Sequence, residues 1–183
     1  MIYLDYNFSN DWCDSKSTFF NIDIRYYIDD EEEFYTIGNM KCVLINSYQA
    51  RCDIFNLIDR LDELDDASVE FGYFLKELLN GSLEETCENI KSRAESSKIV
   101  WISDIEIEKE YRGNGIGTKV MREFVKHCNN VFEAEIIFLN PVPLNYDGDF
   151  DWVYKKLVNF YSKLGFEKVD AEFGIRRLPL YYL

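Results

Sequence analysis

The sequence predicts a single α/β domain, and three features of the chain support this. Polar and apolar residues alternate over 19–28, which is typical of a half-buried strand. Apolar residues recur at helical spacing over 54–61. A strand-like run, Val100–Ile107, enters a glycine-rich turn and continues as an amphipathic helix to about Val125. With 183 residues, of which 47% are hydrophobic, the chain can bury a sizeable core.

The remaining elements follow from the same patterns. Gly38-Asn39 interrupts one strand and predicts a turn or bulge. Gly81 and Gly165 predict two helix ends. The predicted strands are Met1–Tyr6, Phe19–Ile28, Phe34–Ile45, Lys98–Ile107, Glu133–Asn140, Phe166–Val169 and Phe173–Tyr182. The predicted helices are Cys52–Leu64, Asp66 or Ser68 to Leu79, Ser82 to Arg93, Gly117 onward, and Trp152–Leu164.

The glycine-rich turn has the character of an anion site. Gly113, Gly115 and Gly117 permit a tight turn and a close approach of the backbone to a ligand. The following helix offers unpaired amides and the positive end of its dipole, which suits a pyrophosphate. The spacing fits neither a P-loop nor the G-x-G-x-x-G dinucleotide pattern. A purely structural turn with surface glycines is the alternative.

Two sequence motifs resemble those of one enzyme superfamily. Arg112-Gly-Asn-Gly115-Ile-Gly117, after the strand end Ile105-Glu106-Ile107, resembles motif A of the GCN5-related N-acetyltransferases (GNAT). About fifty residues later, Phe160-Tyr161-Ser-Lys-Leu-Gly165-Phe166 resembles motif B of the same superfamily. The order and spacing of the two motifs agree with the superfamily.

This resemblance implies a fold, a co-substrate and a set of site residues. The fold is a splayed mixed β-sheet flanked by helices, forming one domain over 1–183. Within it, 98–170 is the acetyl-CoA-binding core and 1–97 is a divergent acceptor-side half. Tyr161 acts as general acid on the leaving thiolate, although a tyrosine simply packed in the core is the alternative. The implied contacts to acetyl-CoA are Ile105, Glu106, Ile107, Arg112, Gly113, Asn114, Gly115, Ile116, Gly117 and Thr118.

The base that deprotonates the acceptor amine is less defined. Asp104, Glu106 and Glu108 alternate along one strand, and Glu106 is the favoured candidate. A β-bulge would change which of these side chains faces the cleft. The only histidine, His127, lies near a helix C-terminus, where a surface or dipole role is expected. Tyr154 stands where many superfamily members carry a pantetheine-binding asparagine.

Charge and cysteine content narrow the classes of partner. The net charge of −14 is concentrated in residues 1–100, which carry 9 Lys and Arg against 21 Asp and Glu. This argues against a nucleic-acid partner and favours a cationic acceptor, although solubility alone is an alternative. The five scattered cysteines and single histidine predict neither a metal site nor a disulfide framework. We expect a cytoplasmic protein with no membrane partner.

Two hypotheses about function follow. The first is an acyltransferase that moves the acetyl group of acetyl-CoA, its co-substrate, to a primary amine of a cationic small molecule or a protein. The second is a non-catalytic CoA-binding or protein-interaction module with the same fold. The aromatic tail from Phe173 could pair between subunits, so a monomer and a homodimer are both open.

Overall fold

One sheet runs through the computed structural model, with strand order β1-β2-β3-β4-β5-β7-β6. The model describes residues 1–13, 16–28, 33–81, 88–95, 97–143, 148–169 and 181–183. Only β4 and β5 pair in parallel, so the sheet is mixed. The strands are β1 Ile2–Cys13, β2 Ser17–Ile28, β3 Glu33–Asn46, β4 Lys98–Ile107, β5 Ala134–Leu139, β6 Glu167–Lys168 and β7 Tyr181–Tyr182. The helices are α1 Ser47–Cys52, α2 Ile54–Asp62, α3 Asp66–Asn80, α4 Glu88–Ala94, α5 Ile116–His127 and α6 Phe150–Lys163.

Each face of the sheet carries one layer of helices. Helices α1 to α4 cover one face and enclose a core around Trp101, which stacks on Phe71 with ring centroids 4.3 Å apart. The Trp101 indole donates a hydrogen bond of 2.9 Å to Ser68 Oγ, which fixes the start of α3 against β4. Helices α5 and α6 cover the other face, around residues such as Val120 and Phe124. We call these the α3 side and the α5 side of the sheet.

The expected splayed sheet with flanking helices is confirmed, and several element boundaries differ from the expectation. The first strand is longer than Met1–Tyr6 because it pairs with β2 along most of its length. The helix expected over Cys52–Leu64 corresponds to α2, and a separate short helix, α1, precedes it, since Asp53 departs from helical geometry between the two. Of the strand expected over Phe173–Tyr182, residues 173–180 lie outside the described residues. The same holds for 82–87, at the start of the third expected helix.

Two bulges alter the sheet near the glycine-rich turn. Ile37 is an extra residue in β3, since Ile24 pairs with Gly38 and Arg25 pairs with Thr36. Ser103 is an extra residue in β4 opposite β3. Gly38 lies so close to β4 that a Cβ atom there would meet the carbonyl oxygen of Glu106 at 2.2 Å. The bulge expected near Gly38-Asn39 is therefore confirmed.

The sheet opens between β4 and β5. Their parallel pairing ends at Ile102 and Leu139, whereas the pairing of β4 with β3 continues to Ile107. The backbone of β4 from Ser103 to Ile107 thus has no strand beside it on the β5 side within the described ranges. This opening positions the candidate site. Among the helices of the described residues, none combines the length and apolar character needed to cross a membrane.

Candidate active site

A small cavity lies where β4 and β5 diverge. Its volume is about 70 Å³. One wall is the bulged part of β4, the second is the segment that follows β5, and the third is α6. The lining residues are Ile102, Ser103, Asp104, Ile105, Leu139, Asn140, Pro141, Val142, Pro143, Leu157 and Tyr161. Two residues named from the sequence as candidates for catalysis, Asp104 and Tyr161, therefore meet at one cavity.

Tyr161 is held in place by the end of α6. The Phe166 amide donates to the Tyr161 carbonyl and the Gly165 amide donates to the Ser162 carbonyl, both at 3.1 Å. This pair of bonds is a Schellman motif, and Gly165 supplies its left-handed residue with φ 96°. The Tyr161 ring also packs against Phe166 at 5.7 Å between centroids. Burial raises the pKa of the Tyr161 phenol, so its proton is retained at neutral pH.

Asp104 lies on the bulge and faces the α3 side. Its Oδ2 is 3.9 Å from Lys41 Nζ, and Asp65, the N-cap of α3, is close enough to interact electrostatically. Burial raises the pKa of the Asp104 carboxyl, and the Lys41 ammonium partly opposes this effect. Asp104 Oδ1 is buried and has no hydrogen-bond partner among the described residues. Asp104 is thus a carboxylate with unused acceptor capacity inside the cavity.

Glu106 lies close to Arg112, at the start of the glycine-rich turn. Its carboxylate is 3.8 Å from the Arg112 guanidinium. It faces the same side as Asp104 but is not among the residues that line the cavity. Glu108 lies beyond the end of β4, where its amide donates to the Ile37 carbonyl at 2.8 Å. Of the three acids, Asp104 is the one at the cavity.

The glycine-rich turn leads directly into α5. Gly113 and Gly115 both have positive φ, 84° and 74°, and a Cβ atom at either would meet no atom within 4 Å. The first amide bonded within the helix is that of Lys119, which donates to the Gly115 carbonyl. The amides of Ile116, Gly117 and Thr118 therefore point out of the helix end. This open end, with no side-chain cap, has the chemistry of an anion-binding site.

Arg112 joins this turn to the end of β4. Its Nε donates to the Ile107 carbonyl at 2.5 Å, and the guanidinium extends toward Glu106. The strand end Ile105–Ile107 and the turn 112–118 are thereby held next to one another. Asn114, between the two left-handed glycines, is exposed to solvent. The strand–turn–helix unit expected from the sequence is confirmed as local structure.

Three further residues clarify the site. Asn140, which follows β5, lines the cavity, and the sequence analysis did not name it as a site residue. Its position could have suggested a role, because it is a polar residue directly after a buried apolar strand. Tyr154 stacks on Phe150 with 6.1 Å between centroids. His127 stacks on Tyr6 at 4.0 Å, and burial lowers its pKa, so the neutral ring is favoured over the cation that a dipole role needs. Within the described ranges, no group of three or more His, Cys, Asp or Glu side chains could hold a metal ion.

Comparisons with known proteins found several solved structures and one family model. No curated protein sequence matches the chain. The polyamine N-acetyltransferase of Drosophila melanogaster, which forms N-acetylagmatine, has 7% identity and a TM-score of 0.49, with 89% of this chain and 73% of that chain covered. NAA60 of Arabidopsis thaliana, solved with acetyl-CoA, has 12% identity, coverage of 93% and 77%, and a TM-score of 0.47. Arylalkylamine N-acetyltransferase 2 of Aedes aegypti has 15% identity, coverage of 89% and 72%, and a TM-score of 0.48.

A family model described as an acetyltransferase (GNAT) domain matches residues 78–168. The matched range contains β4, the glycine-rich turn, α5, β5 and the whole of α6 with Tyr161. The chain therefore belongs to the GNAT acetyltransferases.

Proposed function

We propose that this protein is an N-acetyltransferase that moves the acetyl group of acetyl-CoA to a primary amine, on a cationic small molecule or a protein. The observation that carries the proposal is the meeting of Tyr161 and Asp104 at one cavity, in the opening between β4 and β5. A proton donor and a proton acceptor at one small cavity suit acyl transfer to an amine. Both groups belong to elements whose geometry is fixed by backbone pairing or by a helix cap.

The residues around the turn fit the phosphate end of acetyl-CoA. The amides of Ile116, Gly117 and Thr118 would donate to the pyrophosphate, helped by the dipole of α5. The space beside Gly113 and Gly115 leaves room for that group to approach. The backbone of β4 from Ile105 to Ile107, without a strand on its β5 side, would bond the amide-containing arm as a strand would.

Asp104 and Tyr161 each carry out a proton transfer. Asp104 takes a proton from the acceptor ammonium, and the resulting amine attacks the thioester carbonyl carbon. As the carbon–sulfur bond breaks, the Tyr161 hydroxyl donates its proton to the leaving thiolate. The acylated nitrogen then loses its second proton, which returns the Tyr161 oxygen to its neutral form. The raised pKa of each group suits its role, because Asp104 becomes a stronger base and Tyr161 stays protonated until the thiolate forms. Glu106, the favoured base from the sequence, would instead hold Arg112 beside the bound co-substrate.

The α3 side of the sheet supports a cationic acceptor. Asp65, Asp104 and Glu106 face this side near the cavity, and Asp23 lies across from Asn39, which pairs with Glu106. Lys41 is the cation beside Asp104, and its side chain is 56% exposed, so it can move aside at little cost. An acceptor that brings its own positive charge would replace it favourably.

The function is tested by mixing the purified protein with acetyl-CoA and a pooled library of amines. We expect one class of cationic amine to gain an acetyl group, measured by mass spectrometry together with release of free CoA. Tyr161→Phe removes only the hydroxyl and should lower kcat by roughly 10²-fold, within the range for general acid catalysis. The matched control is Tyr48→Phe on an exposed tyrosine of α1, which should leave kcat unchanged.

Other outcomes separate the alternatives. An unchanged kcat in Tyr161→Phe would remove the assigned acid. Binding of CoA without acetylation of any amine or protein substrate would favour the non-catalytic CoA-binding module. Failure to bind CoA at all would contradict the assignment of the turn 112–118.

A further inference from the structure

Two oxygen atoms in the cavity are buried without hydrogen-bond partners in the part of the chain that the structure describes. They are Asp104 Oδ1 and Asn140 Oδ1, and both residues line the cavity. A buried acceptor without a donor is destabilising, because it loses its hydration without compensation. Native proteins rarely keep such groups unless water or a ligand supplies the donor. The pair therefore indicates a bound group with at least two hydrogen-bond donors.

The two side chains approach the cavity from the same side of the sheet. In β5, Leu139 packs on the α5 side and Phe138 on the α3 side, so continued alternation directs Asn140 to the α3 side. The bulge at Ser103 directs Asp104 to that side as well. The glycine-rich turn and α5 lie on the opposite side. The two oxygens therefore lie on the side of the sheet that we assign to the acceptor, opposite the turn that we assign to CoA.

We infer that Asn140 and Asp104 together bind the primary ammonium group of the acceptor, and that Asn140 selects an amine over an alcohol. This rests on the acyl transfer proposed above. A primary ammonium has three N–H donors, so it can satisfy both oxygens, and its bond to Asp104 is charge-assisted. A hydroxyl has one donor and leaves one buried oxygen unpaired. Sites built to bond a particular donor reject analogues that lack it.

The size of the cavity and the backbone near Asn140 agree with this assignment. With a volume of about 70 Å³, the cavity is small. It suits the reacting end of an acceptor rather than a whole large molecule. Pro141 is buried and disfavours helical backbone at the residue before it, which holds Asn140 extended at the cavity wall.

The test is an NMR titration of the CoA-saturated protein with butylamine and with 1-butanol. We expect the wild type to prefer butylamine, and Asn140→Leu to weaken butylamine binding about tenfold, as the loss of a hydrogen bond to a charged group predicts. Asn140→Asp keeps a side-chain oxygen and should retain binding. Asn130→Leu, on an exposed amide outside this cavity, should leave it unchanged. The Kd for CoA shows whether each variant is folded, and Asn140→Ala provides a second truncation with the same expectation.

The outcomes distinguish this inference from the proposed function. Equal butylamine affinity in the wild type and the Asn140 truncations would overturn the inference, as would equal affinity of the wild type for butylamine and 1-butanol. If Asn140-dependent amine binding is found but no amine is ever acetylated, the ammonium site stands and the acyltransferase function fails. If amines are acetylated equally by the wild type and Asn140→Leu, the function stands and the ammonium site fails.

Discussion

At the scale of single residues, one extra residue decides which side of the sheet the acidic residues of β4 face. Before Ser103, even-numbered residues of β4 such as Val100 and Ile102 face the α5 side. After it, odd-numbered residues such as Ile105 face that side, and both Asp104 and Glu106 turn to the α3 side. Their positions along the strand then separate them, because Asp104 lines the cavity and Glu106 lies two residues further on. The roles of Asp104 and Glu106 can be distinguished by making the same carboxylate-to-amide substitution at each residue.

Asp104→Asn should lower kcat/KM for the amine by roughly 10²-fold, the range for loss of a general base. Glu106→Gln makes the same carboxylate-to-amide change on the same strand face, and we expect kcat to be nearly unchanged. Its effect should appear as weaker acetyl-CoA binding, because Arg112 loses its acidic neighbour. Steady-state kinetics of the two variants side by side is the measurement. A larger loss of kcat in Glu106→Gln would return the base to Glu106.

The pH profile gives an independent view of the same base. A base acts when deprotonated, so activity is present above the pKa of Asp104 and is lost as the pH falls through it. Burial raises this pKa and Lys41 lowers it, so Lys41→Met should move the acidic limb of kcat/KM to higher pH. Lys98→Met removes a lysine paired with Glu133 outside the cavity and serves as the control. A limb that does not move in Lys41→Met would contradict the role of Asp104.

Sequence patterns predict residue roles only where these depend on neighbours along the chain. The alternation of Asp104 and Glu106 is visible in the sequence, but the side of the sheet that both residues face depends on a bulge. That bulge is set by the register of β4 against β3, a partner more than fifty residues away. Asn140 was not predicted for a similar reason. Its sequence position does not reveal that it lines the same cavity as Asp104.

At the scale of elements, a substitution in the glycine-rich turn has two effects that can be measured separately, backbone strain and blocked approach of the ligand. Gly115→Ala places a methyl group in the open space before the helix amides and forces a non-glycine residue to φ 74°. We expect CoA affinity to fall about tenfold or more, and stability to fall by about 1–2 kcal/mol from the left-handed backbone. Calorimetric titration with CoA and thermal unfolding measure the two effects.

Gly117→Ala is the matched control two residues later. Its Cβ would contact Phe160 at 3.4 Å and Ile107 at 3.6 Å, away from the open space, and its φ is not in the left-handed region. We expect CoA binding to be retained and stability to rise by about 0.5–1 kcal/mol, since alanine favours a helix interior over glycine. Equal losses of CoA affinity in the two variants would place the ligand elsewhere.

Elements with local signals were predictable, and those fixed by distant pairing were not. The turn into α5 and the glycine end of α6 depend on backbone preferences a few residues apart, and both are confirmed. The full length of β1 depends on its pairing with β2, and its own sequence lacks a clear period. The break between α1 and α2 at Asp53 has no proline or glycine to mark it.

At the scale of the whole molecule, the first half of the chain places its strands before its helices. Helices α1 to α4 follow three antiparallel strands and lead directly into β4, as the sequence indicated. They nevertheless cover the sheet beside the cavity, and α3 brings Asp65 close to Asp104. The first half of the chain thus contributes to the surroundings of the cavity through the stacking of Phe71 on Trp101, a contact between elements distant in sequence.

The distribution of charge over the molecule predicts opposite salt effects for the two substrates. The chain carries a net charge of −14, most of it in the half that packs on the α3 side of the cavity, which we assign to the acceptor. Raising ionic strength shortens the Debye length from about 30 Å at 0.01 M to about 10 Å at 0.1 M. Attraction of a cationic amine is then screened, so kcat/KM for the amine should fall. Repulsion of the anionic acetyl-CoA is screened too, so its kcat/KM should rise or hold.

Stopped-flow or steady-state kinetics across this salt range measures how kcat/KM for the amine and kcat/KM for acetyl-CoA each change with ionic strength, using one preparation. A neutral acceptor of the same length, if it is acetylated at all, should show almost no slope and serves as the internal control. The opposite signs matter because a general effect of salt on stability or on the chemical step would move both values together. A fall in both, or a rise in both, would show that the acidic half serves solubility rather than recognition of a cationic acceptor.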